Sequence, residues 1–318
     1  MKVSKPKVSI IGAGNVGSTF AFNLMLSGLA REIVIVDRNE KKAKGECMDL
    51  NHGLSLATPA EIYAAGFEGS VDSDIVVITA GAKQKPGQTR IDLVQANTEI
   101  FKSIIPSVLK YAKGAVLLVV TNPVDILTYV TLKISGLPGR RVLGSGTVLD
   151  SSRFRYLISE HCQVDPRNVH AYIIGEHGDT ELAVWSNANI GGMKIEQYCP
   201  RCKNSHNCDR QQSLDALFKE VKNAAYRIIE AKGATYYAIA LALVRITEAI
   251  LRDENSVLPV STLLKSYYGI NDVCLGIPSI VNRNGVQNFL RLDLSPDEQE
   301  KLKYSADSLK RIIRNIKL

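Results

Sequence analysis

Residues 7–17 read Lys-Val-Ser-Ile-Ile-Gly-Ala-Gly-Asn-Val-Gly, and this stretch decides the fold. Its first five residues are an apolar run typical of a short buried strand, and glycines follow directly at positions 12, 14 and 17. Apolar residues then recur at helical spacing over residues 15–27. The glycines therefore lie in a turn between a strand and a helix, which is the opening unit of a doubly wound α/β fold.

Further apolar runs in the first half of the chain support this fold. Residues 33–37, 74–79 and 115–121 are continuously apolar and rich in β-branched side chains, as strands buried on both faces of a parallel sheet are. Residues 41–50 read as a helix between two of these runs. Strands and helices alternating at this spacing predict a doubly wound parallel sheet with right-handed crossovers, the Rossmann arrangement.

The glycine turn has the spacing of a dinucleotide-binding loop. Gly12 allows the tight turn, Gly14 lets a pyrophosphate approach the backbone, and Gly17 lets helix and strand pack closely, while Val16 lies between them in the helix. The first turn of the helix then offers free N–H groups and a partial positive charge to the phosphates. At the end of the second strand, Asp37 can accept hydrogen bonds from a ribose diol and would repel a 2′-phosphate, so NAD is favoured over NADP.

The pattern changes near residue 150. A helix at 151–161 leads to an apolar strand at 169–174, and a long helical segment, 214–251, is interrupted near Gly233. Ser295 opens a final amphipathic helix with a strong N-cap signature. We therefore predict two domains, an NAD-binding Rossmann domain at 1–149 and an α+β substrate domain at 150–318.

Composition excludes several other classes of protein. The hydrophobic fraction of 45% and the charged fraction of 22% are those of globular domains, not of disordered, collagen-like or coiled-coil chains. The longest apolar stretch, 236–244, is far shorter than the roughly 20 residues of a membrane span. We expect no signal peptide and no disulfide framework for the six cysteines, and hence a cytoplasmic protein.

Five further segments carry polar residues suited to catalysis, and together they closely resemble the lactate/malate dehydrogenase family, in particular its L-lactate dehydrogenases. The resemblance runs essentially end to end. The segments are 81–90 (Gly-Ala-Lys-Gln-Lys-Pro-Gly-Gln-Thr-Arg), 121–125 (Thr-Asn-Pro-Val-Asp), 146–155 (Gly-Thr-Val-Leu-Asp-Ser-Ser-Arg-Phe-Arg), 174–180 (Ile-Gly-Glu-His-Gly-Asp-Thr) and 232–235 (Lys-Gly-Ala-Thr).

The resemblance makes His177 the acid/base group. Reduction of a keto group needs a proton for the developing alkoxide, and imidazole has a pKa suited to giving one near neutral pH. Asp150 would accept a hydrogen bond from the other ring nitrogen and stabilise the imidazolium. A core histidine satisfied by the backbone is the alternative interpretation.

Three more residues would hold the substrate. Arg153 lies one helical turn after Asp150, so both can face one cleft, and its guanidinium matches a carboxylate bidentately, although a surface salt bridge is the alternative. The resemblance places Arg90 on a loop that closes over the substrate. The arginine would then polarise the substrate carbonyl. Asn122, just past the fourth strand, would hydrogen-bond the substrate oxygen and lie near the cofactor.

The resemblance also addresses which keto acid is used. In the family, the residue that matches Gln84 distinguishes the two activities: an arginine pairs with the second carboxylate of oxaloacetate, whereas a neutral glutamine accepts the methyl group of pyruvate. An unpaired buried charge is costly, so one residue can shift the preference strongly. Thr235 would line the methyl pocket. Reversible reduction of pyruvate to L-lactate in glycolysis and fermentation is therefore expected, with malate dehydrogenase and a non-catalytic NAD-binding sensor as alternatives.

A regulatory site is expected from a second pair of residues. Arg155 lies about 200° around the helix from Arg153 and so points away from the cleft. In bacterial members of the family, residues matching Arg155 and His170 bind fructose 1,6-bisphosphate between subunits. The resemblance thus implies activation by this anion and a homotetramer. A surface arginine and a packing histidine are the alternative interpretation.

Two features are not explained by the resemblance. The net charge of +7 raises the question of an anionic partner, but the basic residues form no stripe with interleaved aromatics, so neither nucleic acid nor a membrane is expected. A cysteine-rich segment offers weak zinc ligands at unusually short spacing, and we prefer an incidental or redox-active thiol cluster to a metal site. Its residues are Cys199, Cys202, His206 and Cys208.

Overall fold

The computed structural model describes residues 6–82, 90–198 and 210–317. Its strands form one large sheet and two small ones. In chain order they are β1 Lys7–Ile11, β2 Glu32–Val36, β3 Glu61–Ala64, β4 Ile75–Ile78, β5 Val116–Val119, β6 Val142–Gly144, β7 Val169–His170, β8 Ile173–Ile174, β9 Leu182–Ala183, β10 Asn189–Ile190, β11 Met193–Lys194, β12 Ser256–Leu263, β13 Cys274–Asn282 and β14 Gly285–Phe289.

Helices cover both faces of the large sheet and part of the second half. The helices are α1 Asn15–Ser27, α2 Glu40–His52, α3 Arg90–Tyr111, α4 Val124–Ser135, α5 Val148–Cys162, α6 Ile195–Tyr198, α7 Arg210–Lys232, α8 Tyr237–Leu251 and α9 Pro296–Ile313. None of the helices described is long and apolar enough to cross a membrane.

The large sheet confirms the predicted doubly wound topology. Its first six strands run parallel in the order β3-β2-β1-β4-β5-β6. The direction of winding reverses between β1 and β4, and ligands in such folds bind beyond the carboxyl ends of the strands at this point. Two apolar clusters, one on each face, bury the sheet, and this explains why its strands are continuously apolar.

The sheet does not stop at the proposed domain division. The antiparallel strands β12, β13 and β14 extend the parallel sheet beyond β6, through pairing of Ser261 with Gly144. The sequence pattern gave no sign of this extension, because strand pairing across more than a hundred residues leaves no local signal. The division after residue 149 stays a prediction.

Two predicted elements of the second half differ from the structure. The apolar run at 169–174 is two short strands, since β7 pairs with β10 whereas β8 pairs with β9. The change of partner between them interrupts the strand. The long helical segment is two helices, α7 and α8, and Gly233 between them has φ +83, which favours glycine. The break near Gly233 was predicted.

Candidate active site

The glycine loop joins β1 to α1 and is tied to neighbouring strands. The backbone N–H of Gly12 donates to Val36 O at 2.7 Å, and the Thr79 hydroxyl donates to Gly12 O at 2.9 Å. Gly12 has φ +114, and a Cβ there would lie 2.8 Å from Ala80 N. Both observations require glycine at this position.

The space around the other two glycines fits a dinucleotide. A Cβ on Gly17 would collide with Gly12 O, so this glycine is needed for close packing. A Cβ on Gly14 would meet nothing within 4 Å, so open space lies beside the start of α1. Gly14 is the N-cap and no side chain caps the helix, which leaves backbone N–H groups available to a phosphate. Val16, in the first turn, is half-buried.

Asp37 lies beside this loop, at the end of β2. Its Oδ2 accepts a hydrogen bond from Ala13 N at 2.7 Å, and its Oδ1 accepts one from Asn39 N at 2.8 Å. The carboxylate therefore holds the glycine loop in place. Because each carboxylate oxygen has a further lone pair and the side chain is half-buried, Asp37 can also accept from a ribose diol.

His177 and Asp150 form a close pair in the second half of the chain. His177 Nδ1 lies 2.5 Å from Asp150 Oδ2, and the imidazole remains 24% exposed. Burial alone would lower the pKa of His177, but the charge and hydrogen bond of Asp150 outweigh it and raise this pKa to about 9. Burial opposes ionisation of Asp150, yet His177 and Arg153 hold the pKa of this carboxyl below its usual value. The ring is therefore protonated at neutral pH.

Arg153 binds the other oxygen of the same carboxylate. Its Nη1 lies 2.9 Å from Asp150 Oδ1, one turn along α5, and the guanidinium is 14% exposed. Asp150 thus holds an imidazolium and a guanidinium side by side, and both retain donors for an incoming anion. The expectation that residues 150 and 153 share one face is confirmed.

Asp125 binds the backbone of His177, and sequence reasoning did not assign Asp125 a role. Its Oδ2 accepts from His177 N at 2.7 Å and its Oδ1 accepts from Ser261 Oγ at 2.6 Å. Burial raises the pKa of Asp125 to about 6. A carboxylate in the otherwise apolar start of α4 was the available signal, because a buried charge needs partners.

Glu181 is a second acidic residue that the sequence reasoning missed. It is only 7% exposed, and burial, followed by the charge of Asp150, raises its pKa to about 8. One donor atom each of Glu181, Asp150 and His177 lies within 4.8 Å of the others. Ionisable groups with pKa values shifted in different directions are typical of active sites.

Of the remaining predicted substrate residues, the structure describes Asn122 and Thr235 in full and Arg90 only in part. Asn122 follows β5 and is exposed, and its backbone oxygen accepts from Asn97 Nδ2 at 3.0 Å. Thr235 is half-buried between α7 and α8. Arg90 begins α3, but its side chain lies outside the described structure, as does the whole of Gln84.

The proposed regulatory residues lie on a different side of α5. Arg155 Nε donates to Ala171 O at 3.0 Å, and its guanidinium lies 5.3 Å from the centre of the Tyr172 ring. His170 is the residue before Ala171 and is exposed. Arg155 therefore binds the backbone one residue after His170, whereas Arg153 binds Asp150.

The cysteines are partly described. Cys47, Cys162 and Cys274 are buried, as expected. The segment with the weak zinc ligands lies outside the described residues; its members are Cys199, Cys202, His206 and Cys208.

Comparison with known families identifies both halves of the chain. Residues 6–144 match the model described as the lactate/malate dehydrogenase NAD-binding domain. Residues 147–317 match that of the lactate/malate dehydrogenase alpha/beta C-terminal domain. The expectation of a cofactor-binding half that takes NAD is confirmed.

Individual relatives are similar over nearly their whole length. An L-lactate dehydrogenase of Acetivibrio thermocellus is 58% identical over 310 residues, covering 98% of this chain and 97% of the relative. One of Thermoanaerobacterium saccharolyticum is 56% identical, with 98% and 99% covered. The crystal structure of a minor L-lactate dehydrogenase from Enterococcus mundtii, solved with ligands bound, has a TM-score of 0.94 and 42% identity, and 99% of each chain is covered.

Proposed function

The chain belongs to the lactate/malate dehydrogenase family, and on this premise we propose that it catalyses the reversible, NAD-dependent reduction of pyruvate to L-lactate. The observation that carries the proposal is the Asp150 carboxylate, which holds the His177 imidazole and the Arg153 guanidinium side by side. A proton donor and a carboxylate-binding group at this separation suit a 2-keto acid.

His177 supplies the proton. Its raised pKa keeps the imidazole protonated at neutral pH, so Nε2 can donate to the keto oxygen as negative charge develops there. NAD, when bound at the glycine loop, supplies or accepts the hydride. After the proton has left, Asp150 keeps the neutral ring oriented through Nδ1, ready to accept a proton in the reverse reaction.

Arg153 orients the substrate. Its fork of N–H donors matches the substrate carboxylate, and its placement next to the imidazole brings the keto oxygen toward the acid group. Arg90 would polarise the carbonyl, Asn122 would hydrogen-bond the same oxygen, and Thr235 would line the methyl pocket. These three roles rest on the family resemblance and on the position of the residues in the sequence.

Gln84 favours pyruvate over oxaloacetate. A neutral side chain leaves the second carboxylate of oxaloacetate without a partner, and this costs several kcal/mol in a closed site. The test is the loss of NADH absorbance with pyruvate, with oxaloacetate and with neither. Faster turnover of oxaloacetate would make the protein a malate dehydrogenase, and no turnover with either would make it an NAD-binding sensor. Gln84→Arg should move the preference toward oxaloacetate.

Activation by fructose 1,6-bisphosphate is part of the proposal. Arg155 binds the backbone next to the exposed His170, and the phosphates would neutralise such basic groups where two subunits meet. The half-saturating pyruvate concentration should fall when the sugar bisphosphate is added, and Arg155→Gln should abolish the fall. Arg167→Gln is the control, because Arg167 is exposed and pairs with Asp165. An unchanged half-saturation in the wild type contradicts the proposal.

We further propose a homotetramer that acts in the cytoplasm, in glycolysis and fermentation. Large apolar side chains remain exposed on several helices of the chain, and a second copy could cover them. Examples are Leu26 on α1, Met48 on α2 and Leu241 on α8. Analytical ultracentrifugation tests the oligomeric state, and a monomer at micromolar concentration would contradict it.

A further inference from the structure

The loop that carries His177 runs from β8 to β9, and Asp125 and Lys222 bind its backbone at His177 N and Asp179 O. The loop also contacts the last helix, α9. There the Ser305 hydroxyl oxygen accepts a hydrogen bond from Glu176 N at 2.8 Å, directly before His177 in the chain. Ser305 is fully buried.

The same hydroxyl reaches the far end of the loop. Ser305 Oγ lies 3.0 Å from Thr180 Oγ1, and the Thr180 hydroxyl donates to Oε2 of Glu176 in a short hydrogen bond. Because the single hydroxyl proton of Thr180 is used on Glu176, Ser305 must be the donor to Thr180. The directions of all the hydrogen bonds are thereby fixed.

These bonds close a ring. The backbone N–H of Glu176 donates to Ser305, Ser305 donates to Thr180, and Thr180 donates back to the Glu176 side chain. The ring spans the loop from the residue before His177 to Thr180, three residues after it. Chains of hydrogen bonds in a buried setting polarise and strengthen one another.

The packing around the ring leaves little freedom. Gly175, at the start of the loop, has φ +92, and a Cβ there would lie 2.9 Å from Ser305 Oγ. Helix α9 therefore lies directly against the loop backbone. A hydroxyl on the buried face of an amphipathic helix is costly unless it is hydrogen-bonded. The other buried positions after the first turn of α9 are apolar: Leu302, Ala306 and Leu309.

We propose that Ser305 is a positioning residue for the acid/base step, acting through Glu176 and Thr180 to keep the His177 imidazole on Asp150. The inference rests on the proposed function, since it concerns the same histidine. Loss of the ring would let the loop shift, so that fewer molecules hold Nδ1 on the Asp150 carboxylate. The protonated ring would then be less favoured and the proton donor less well aligned.

The test compares Ser305→Ala with Ser308→Ala. Ser308 is one turn along α9, and its hydrogen bonds, to Tyr304 and Arg311, stay within the helix. For Ser305→Ala we expect kcat to fall about tenfold, because small misplacements of reacting groups are costly, with the Kd of NADH unchanged. The alkaline limb of the kcat profile should move to lower pH. Ser308→Ala should match the wild type in all three measurements.

A second pair of variants keeps the test decisive if Ser305→Ala does not fold. Thr180→Val removes the hydroxyl at nearly constant shape, whereas Thr180→Ser retains it. Thr180→Val should behave as Ser305→Ala does, and Thr180→Ser should stay close to the wild type. Equal kinetics and equal pH profiles for Thr180→Val and Thr180→Ser would overturn the proposal.

NMR titration of the His177 ring gives a readout that does not depend on turnover. The chain has five histidines, so each can be assigned by single substitution. The ring should titrate at lower pH in Ser305→Ala and in Thr180→Val than in the wild type. A folded Ser305→Ala with lower Tm but an unchanged His177 titration would show a purely structural role and overturn the proposal. Absence of pyruvate turnover in the wild type would instead refute the proposed function.

Discussion

The glycine loop and the His177 loop differ in how they are built. The glycine loop is a single stretch between β1 and α1, closed by Asp37 and Thr79 at the ends of adjacent parallel strands. The His177 loop is held by hydrogen bonds from α4, α5, α7, α9 and β13. Ser261 of β12 in turn holds Asp125 of α4. The cofactor site is therefore one contiguous backbone turn fixed by its neighbouring strands, whereas the proposed proton-transfer site is assembled from distant elements by tertiary packing.

The largest expected effect separates the two regions completely. His177→Asn removes the proton donor and leaves the glycine loop untouched, so kcat should fall about 10³-fold, within the range for loss of a general acid. The Kd of NADH, measured by fluorescence titration, should stay within about twofold. Near-normal turnover of this variant would show that another group donates the proton.

A pH-dependent stability effect belongs to the His177 region alone. Folding raises the pKa of Glu181 to about 8 from 4.5, so the folded state holds this proton more tightly and wild-type stability falls as the pH rises between these values. Glu181→Gln removes the ionisation and should be more stable than the wild type above pH 8, by about 5 kcal/mol at most. Urea denaturation at pH 5, 7 and 9 measures the difference.

The control for that effect is an exposed carboxylate. Glu230→Gln, at an exposed position of α7, retains Glu181, so its stability difference from the wild type should be the same at all three pH values. A stability difference between Glu181→Gln and the wild type that is the same at all three pH values would mean that Glu181 does not ionise in this range.

A substitution in the glycine loop can test cofactor binding without changing the His177 loop. Gly14 has φ −77 and open space where a Cβ would project, so Gly14→Ala should fold with unchanged Tm. The added methyl group occupies the space for the phosphates, and NADH affinity should fall about tenfold, or roughly 1.4 kcal/mol. Gly45→Ala, also with open space at its Cβ, is the control. Wild-type NADH affinity in Gly14→Ala would place the phosphates elsewhere.

The smallest expected effect concerns the N-terminal cap of α9, which depends only on residues close together in the chain. Ser295 caps α9 by accepting from Glu298 N, while the Glu298 side chain accepts from Ser295 N at 2.8 Å. Ser295→Ala should lower the free energy of unfolding by about 1 kcal/mol. Ser107→Ala, within α3, serves as the comparison for loss of a helix hydroxyl. If kcat also falls in Ser295→Ala, the N-terminus of α9 contributes to the positioning of His177.

Local patterns accounted for much of the fold. The bounds of β1 and α1, the glycine turn, the helix break at Gly233 and the cap at Ser295 were all predicted, because each depends on residues within a few positions. The shared face of Asp150 and Arg153 followed from helical periodicity. The interruption of the 169–174 run and the extension of the sheet by β12–β14 were not predicted, because both depend on which distant strand is the partner.

The sequence by itself determined the cofactor half and led to the proposed acid/base pair, because glycine spacing, strand hydrophobicity and short motifs are written in contiguous residues. Only the tertiary structure decided what holds that pair in place. Asp125, Ser261, Glu181 and Ser305 lie far apart in the chain, and each becomes important only because burial removes water and makes a missing hydrogen bond or a lone charge costly.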